Sequence, residues 1–119
     1  MKSYSYLEEL QQVILSILNN AIDALKFMNI DSPEIFISAY KKDNNIFIVI
    51  GDNAMGINDK NLDKIFEPYF TTKHKSQGTG LGLYMAKMII ENGLDGKLYV
   101  QNRLNGAYFT IQLTGIKDI

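Results

Sequence analysis

A chain of 119 residues, 46% apolar and 21% charged, has room for one compact core and excludes a disordered segment. Its net charge is −1 and its Lys and Arg form no stripe, which argues against a nucleic-acid module. With no Cys and a single His, His74, disulfide scaffolds, thiolate sites and His-based metal clusters are excluded.

Taken in chain order, Tyr6 to about Phe27 is predicted to be a helix. Leu7, Leu10, Ile14, Ile17, Leu18, Ala21 and Leu25 recur at three- and four-residue steps as one apolar stripe. Ser16, Asn20 and Asp23, at i, i+4 and i+7, are placed on the opposite face. Asp31-Ser32-Pro33 punctuates the exit. Strands are predicted over Ile35–Tyr40 and Ile46–Ile50, joined by the polar turn Lys42-Asp43-Asn44-Asn45. The second strand is apolar throughout and belongs in the sheet interior.

Regular patterns stop between Gly51 and Gly80. A helical turn fits Asn61–Ile65, capped by Asn58 or Asp59. Glu67–Gly78 is a polar loop of about a dozen residues, a length typical of functional lids or disordered segments. A second helix is expected over Gly80–Glu91, with Leu83, Ala86, Lys87 and Ile90 on one side and Asn92-Gly93 as a left-handed stop. A hairpin closes the chain, Lys97–Asn102 and Ala107–Thr114, with Asn105-Gly106 as its turn. No repeat or linker interrupts 1–119, so one domain is expected. This order suggests an α+β fold with helices on one face of a mostly antiparallel sheet.

Four segments carry chemistry. Gly78-Thr79-Gly80-Leu81-Gly82-Leu83 places three alternate Gly before a helix, so backbone N–H groups can approach an anion with no Cβ in the way. A Gly-rich helix entry without a ligand also fits. It is not a Walker loop, since no Gly-Lys-Ser/Thr follows. Gly51-Asp52-Asn53-Ala54-Met55-Gly56 puts a carboxylate at the rim of the core, where the exocyclic amine of adenine is a suitable donor; an ordinary Asx-capped turn is the alternative. Asn20 offers an amide oxygen to a hard cation such as Mg²⁺, although the spacing alone better suits a solvated helix face. Phe66-Glu67-Pro68-Tyr69-Phe70-Thr71-Thr72-Lys73 sets aromatics around a Pro, as an anchor to the core or to a partner, with Lys73 able to reach a phosphate. His74 is most simply an exposed loop residue.

The order of these segments resembles the catalytic, ATP-binding domain of bacterial sensor histidine kinases, over nearly the whole chain. Leu18-Asn19-Asn20-Ala21-Ile22-Asp23-Ala24 corresponds to that family's N box, Asp52 to Gly56 to the first glycine box, Phe66 to Lys73 to the F box, and Gly78 to Leu83 to the second glycine box. DNA gyrase and a heat-shock chaperone share the superfamily. The resemblance implies a Bergerat-type two-layer α/β sandwich, with a mixed, mostly antiparallel sheet covered on one face by helices. It implies ATP and Mg²⁺ as cofactors, with Asn20 on the metal and Asp23 lining the same pocket. Asp52 would bind the adenine amine and Gly56 shape the base pocket. Lys73 and the segment to Gly78 would form the lid, with Thr79, Gly80, Leu81 and Gly82 at the phosphates. Phe66 and Phe70 would face the histidine-bearing dimerisation domain of a homodimeric parent, with a response regulator as an indirect partner.

Several positions depart from the pattern. Ser16 stands where Asn or a carboxylate is usual, Ala54 replaces a Gly and is expected to tighten the turn, and Ala107 replaces a common Thr. The strand that usually precedes the first helix is missing, which would leave a sheet edge exposed or covered by another chain. No His-Glu-bearing helical hairpin is written in the sequence, so no catalytic residue is assigned within it. The expectation is an excised kinase domain that binds ATP and needs a separate acceptor, or else a nucleotide-binding or interaction module without turnover. No apolar run reaches the roughly 18 residues of a membrane span and no signal-peptide pattern opens the chain, so a cytoplasmic domain is expected, possible also within a membrane-anchored parent.

Overall fold

The computed structural model describes residues 3–70 and 81–114. Helix α1 spans Ser3–Phe27, strand β1 Ile35–Lys42 and β2 Asn45–Asp52; a 3-10 turn covers Asp59–Asn61. Helix α2 runs over Gly82–Met88 and continues as a π turn, Ile89–Gly93, before β3, Lys97–Arg103, and β4, Gly106–Thr114.

The strands form one sheet in the order β1-β2-β4-β3, and every described neighbour pair is antiparallel. The expected parallel component of a mixed sheet has no counterpart among them. β2 lies inside the sheet, as its unbroken apolar run required. Pleating sends Ile50, Leu98, Phe109, Ile111 and Leu113 to one face, where they pack on Leu10, Val13 and Ile17 of α1 and on Ala86, Ile90 and Leu94. The other face carries stacked aromatic pairs, Phe36 with Tyr108 and Tyr40 with Phe47.

The apolar stripe of α1 is Leu10, Val13, Ile17, Ala21 and Leu25, at steps of three and four residues. Leu7, assigned to it from the sequence, is 57% exposed, whereas Val13 is fully buried. Ser16, Asn20 and Asp23 are half-buried and flank this stripe. The solvent face opposite is held by Glu8, Leu15, Asn19 and Lys26 instead. The offset follows from 3.6 residues per turn: with the stripe centred on Ile17, Asn20 falls only about 60° from its axis.

Both hairpins close with two-residue turns. Asp43 and Asn44, at φ 54° and 68°, supply the first. The second is Leu104-Asn105, one residue earlier than the expected Asn105-Gly106, because Gly106 already pairs with Arg103. Gly106 is needed for a different reason: a Cβ there would overlap the carbonyl oxygen of Asp52. The second helix also ends differently. Leu94 N donates to Ile89 O at 3.0 Å, widening the last turn, and the left-handed residue is Asp95 at φ 56°, not Asn92 or Gly93. The helical turn expected over Asn61–Ile65 begins earlier, as the 3-10 turn Asp59–Asn61, and Asn58 caps it, its side chain accepting from Lys60 N at 3.0 Å.

Candidate functional site

Asp52 ends β2 with only 4% of its surface exposed. Its Oδ1 accepts from Ala54 N at 2.9 Å and from Ala107 N at 3.4 Å, whereas Oδ2 takes no bond among the described residues. No cation among the described residues pairs with the carboxyl, and burial raises its pKa above the ordinary 3.8; the two backbone donors offset this only in part. Ala107 thus serves Asp52 through its backbone, a contact that needs no hydroxyl. Ala54 is buried in an Asx turn on Asp52 without a left-handed backbone, so Ala is accommodated as readily as Gly. The left-handed positions are the next two, Met55 at φ 73° and Gly56 at φ 81°.

Gly56 suits this conformation, and its bare Cα matters in space as well. A Cβ there would stand 2.8 Å from Asn102 Oδ1. Asn102, on β3, grips the next residue: Oδ1 accepts from Ile57 N at 2.8 Å and Nδ2 donates to Ile57 O at 2.6 Å. Met55 N donates to Asn105 O at 2.7 Å. The tip of the β3–β4 hairpin therefore brackets the loop after Asp52 on several sides. Sequence reasoning missed Asn102, because its contact spans 45 residues and no local pattern marks it.

Asn20 and Asp23 share their flank of α1 with Glu9 and Ser16, at spacings of seven, four and three residues. That flank faces the second helical segment, where a Cβ on Gly93 would lie 3.6 Å from Glu9 Oε1. Gly82 opens α2 with nothing within 4 Å of where its Cβ would stand, and Leu81 caps the helix with no side-chain bond. Lys73, Gly78, Thr79 and Gly80 lie outside the described residues, as do His74 and the expected lid from residue 71 onward.

Phe66 meets Phe109 edge-on at 6.2 Å between ring centroids, and Phe70 also packs on the core. Lys87 Nζ lies 4.8 Å from the Phe66 ring centroid, bonds Glu91 Oε2 at 2.9 Å and donates to Leu98 O at 2.9 Å. Both Phe side chains are thus core anchors first; Tyr69, 73% exposed, is the aromatic that reaches solvent. A shallow groove of about 140 Å³ lies beside them, lined by Phe66, Tyr84, Lys87, Met88, Glu91 and Asn92.

Residues 6–115 match the family described as histidine kinase-, DNA gyrase B- and HSP90-like ATPases. The chain belongs to that ATPase family. Within it, the chain is similar to sensor kinases. It is 36% identical over 109 residues to the two-component sensor PprA of Pseudomonas aeruginosa, a match covering 89% of this chain and 12% of that protein. It is 40% identical over 108 residues to the signal transduction histidine-protein kinase AtoS of Escherichia coli, covering 89% of this chain and 17% of that one. The catalytic domain of histidine kinase ThkA superposes with a TM-score of 0.77 at 31% identity, over 89% of this chain and 67% of the ThkA domain. The α+β architecture is therefore that of a histidine kinase catalytic domain of this ATPase family, and the chain spans well under a quarter of PprA and AtoS. Among the described residues no helix is long and apolar enough to cross a membrane.

Proposed function

We propose that residues 1–119 form the catalytic, ATP-binding domain of a two-component sensor histidine kinase, binding Mg-ATP for transfer of its γ-phosphoryl to a His on a separate dimerisation domain. The observation that carries the nucleotide reading is Asp52, a buried carboxylate with an unused oxygen and no cationic partner among the described residues. Such a group calls for a neutral donor, and the adenine amine supplies one. Gly56, whose bare Cα makes room for Asn102, would shape the base pocket with its backbone.

The phosphate end follows from the helices. Glu9 and Asn20 are eleven residues apart on α1, and so are Gly93 and Gly82 on the second segment. Glu9 lies near Gly93 and α1 packs on α2, which supports an antiparallel pair in which the rise of eleven residues, about 16 Å, would put Asn20 near the level of Gly82. Asn20 and Asp23 would then face phosphates resting on the glycine run from Gly78 to Gly82. No group of three His, Cys, Asp or Glu among the described residues could cage a metal. One amide oxygen with a nearby carboxylate fits a Mg²⁺ that arrives with the phosphates and keeps its waters. When bound, that ion would supply charge neutralisation to the phosphates. The chain's own residues position: Asp52 fixes the base, Asn20 and Asp23 orient the phosphate end, and Lys73 would close over it. Phe66, Phe70 and exposed Tyr69, with the adjoining groove, would face the histidine-bearing domain of a homodimeric parent, and through it a response regulator.

The test is to mix the chain with Mg-ATP and the histidine-bearing domain of its parent protein. Phosphohistidine should form on that domain. ATP binding without phosphohistidine would sink the kinase reading and leave a nucleotide-binding module; no ATP binding would sink both.

A further inference from the structure

Residues 53–58 have no regular hydrogen-bonding pattern of their own, yet they hold two consecutive left-handed residues, Met55 and Gly56. For Met55 that conformation is strained and persists only where its surroundings enforce it. Met55 N is held by Asn105 O, and Asn102 is the side chain that holds the residue following the left-handed pair. Its amide meets both backbone groups of Ile57, Oδ1 accepting from the N–H and Nδ2 donating to the carbonyl, as a neighbouring strand would. The same Nδ2 also lies 3.4 Å from Asp59 Oδ1, tying the start of the 3-10 turn into the grip. Glycine at 56 leaves the space that lets Asn102 come this close.

We infer that Asn102 is a positioning residue for nucleotide-base recognition: it fixes the Gly56–Ile57 backbone beside Asp52 and so sets affinity for the base without contributing to the phosphates. The inference rests on the proposed ATP reading. Its energetic scale is that of one or two hydrogen bonds to backbone, a change of roughly fivefold in affinity.

Two ligands separate base from phosphate. Mg-ATP is titrated into the wild-type chain, Asn102→Ala and Asn102→Asp, and Mg-tripolyphosphate is measured on each by competition with a fluorescent ATP analogue. Amide exchange at Ile57 is followed in parallel, and thermal unfolding checks that each variant folds. Asn102→Ala should lose about fivefold in ATP affinity, keep tripolyphosphate within about twofold, and expose the Ile57 amide to exchange. Asn102→Asp should fall as far for ATP, because a carboxylate has no donor for Ile57 O and faces the carboxylate of Asp59. If the Ile57 amide is released and ATP affinity does not move, Asn102 has no part in base recognition. Equal losses for both ligands would make its role general to the fold and overturn the inference. A wild-type chain that binds tripolyphosphate but shows no gain from the adenosine part would remove the base site itself, and with it both readings.

Discussion

The two ends of the candidate site are built by different means. At the proposed base end, Asp52, Gly56 and Ile57 are fixed by the β3–β4 hairpin through Asn102, Asn105, Gly106 and Ala107, with buried atoms and close backbone approach. At the proposed phosphate end, Asn20 and Asp23 are presented by the flank of an amphipathic helix, and Gly82 borders open space. One end is preorganised by contacts distant in sequence; the other offers oxygen donors and room. A ligand whose flat base needs a shaped slot, and whose charged tail brings its own cation and water, calls for that division.

The largest effect should come from breaking the base end. Gly106→Ala would drive a Cβ into the Asp52 carbonyl and cost about 3 kcal/mol or more of stability, seen as a drop in the denaturation midpoint. An unchanged midpoint would mean that the hairpin and the Asp52 loop are not in contact. Next, Asn20→Ala should remove on the order of tenfold of the Mg²⁺-dependent gain in ATP affinity and leave Mg²⁺-free binding intact. Equal losses with and without Mg²⁺ would place Asn20 away from the metal.

A smaller effect is carried by the buried carboxyl. Burial raises the Asp52 pKa on folding, so the folded state holds that proton more tightly. Its contribution to stability is fully present below the ordinary value of 3.8 and is lost as pH rises through the raised value. Asp52→Asn should flatten this part of the stability–pH curve and be the more stable protein at neutral pH. Identical pH slopes for the two proteins would show that Asp52 is well solvated. The smallest change lies away from both ends. Tyr6 buries its hydroxyl without a partner among the described residues, so Tyr6→Phe should stabilise the chain by about 1 kcal/mol and leave ATP affinity alone. A loss of stability would reveal a bond to that hydroxyl.

The same contrast explains what was legible in the sequence. α1, both hairpins and the interior place of β2 follow from periodicity and turn residues, which are local. Asp52, Gly56 and Asn20 stood out because short motifs surround them. Asn102 did not, since an Asn on a strand says nothing about the loop it meets 45 residues earlier. Gly106 was read as a turn residue because Asn-Gly is a turn signal, whereas its need arises from the close approach of Asp52. Val13 and Leu7 are equally apolar, and only the packed neighbours decide which is buried. The π turn depends on an i to i+5 bond that leaves no compositional trace.

The most direct test of the account is a calorimetric titration of Mg-ATP into the wild-type chain and Asp52→Asn. The wild type should bind, and the variant should lose more than about tenfold in affinity, on the order of 1.4 kcal/mol or more. Unchanged affinity would remove Asp52 from the base site and contradict it.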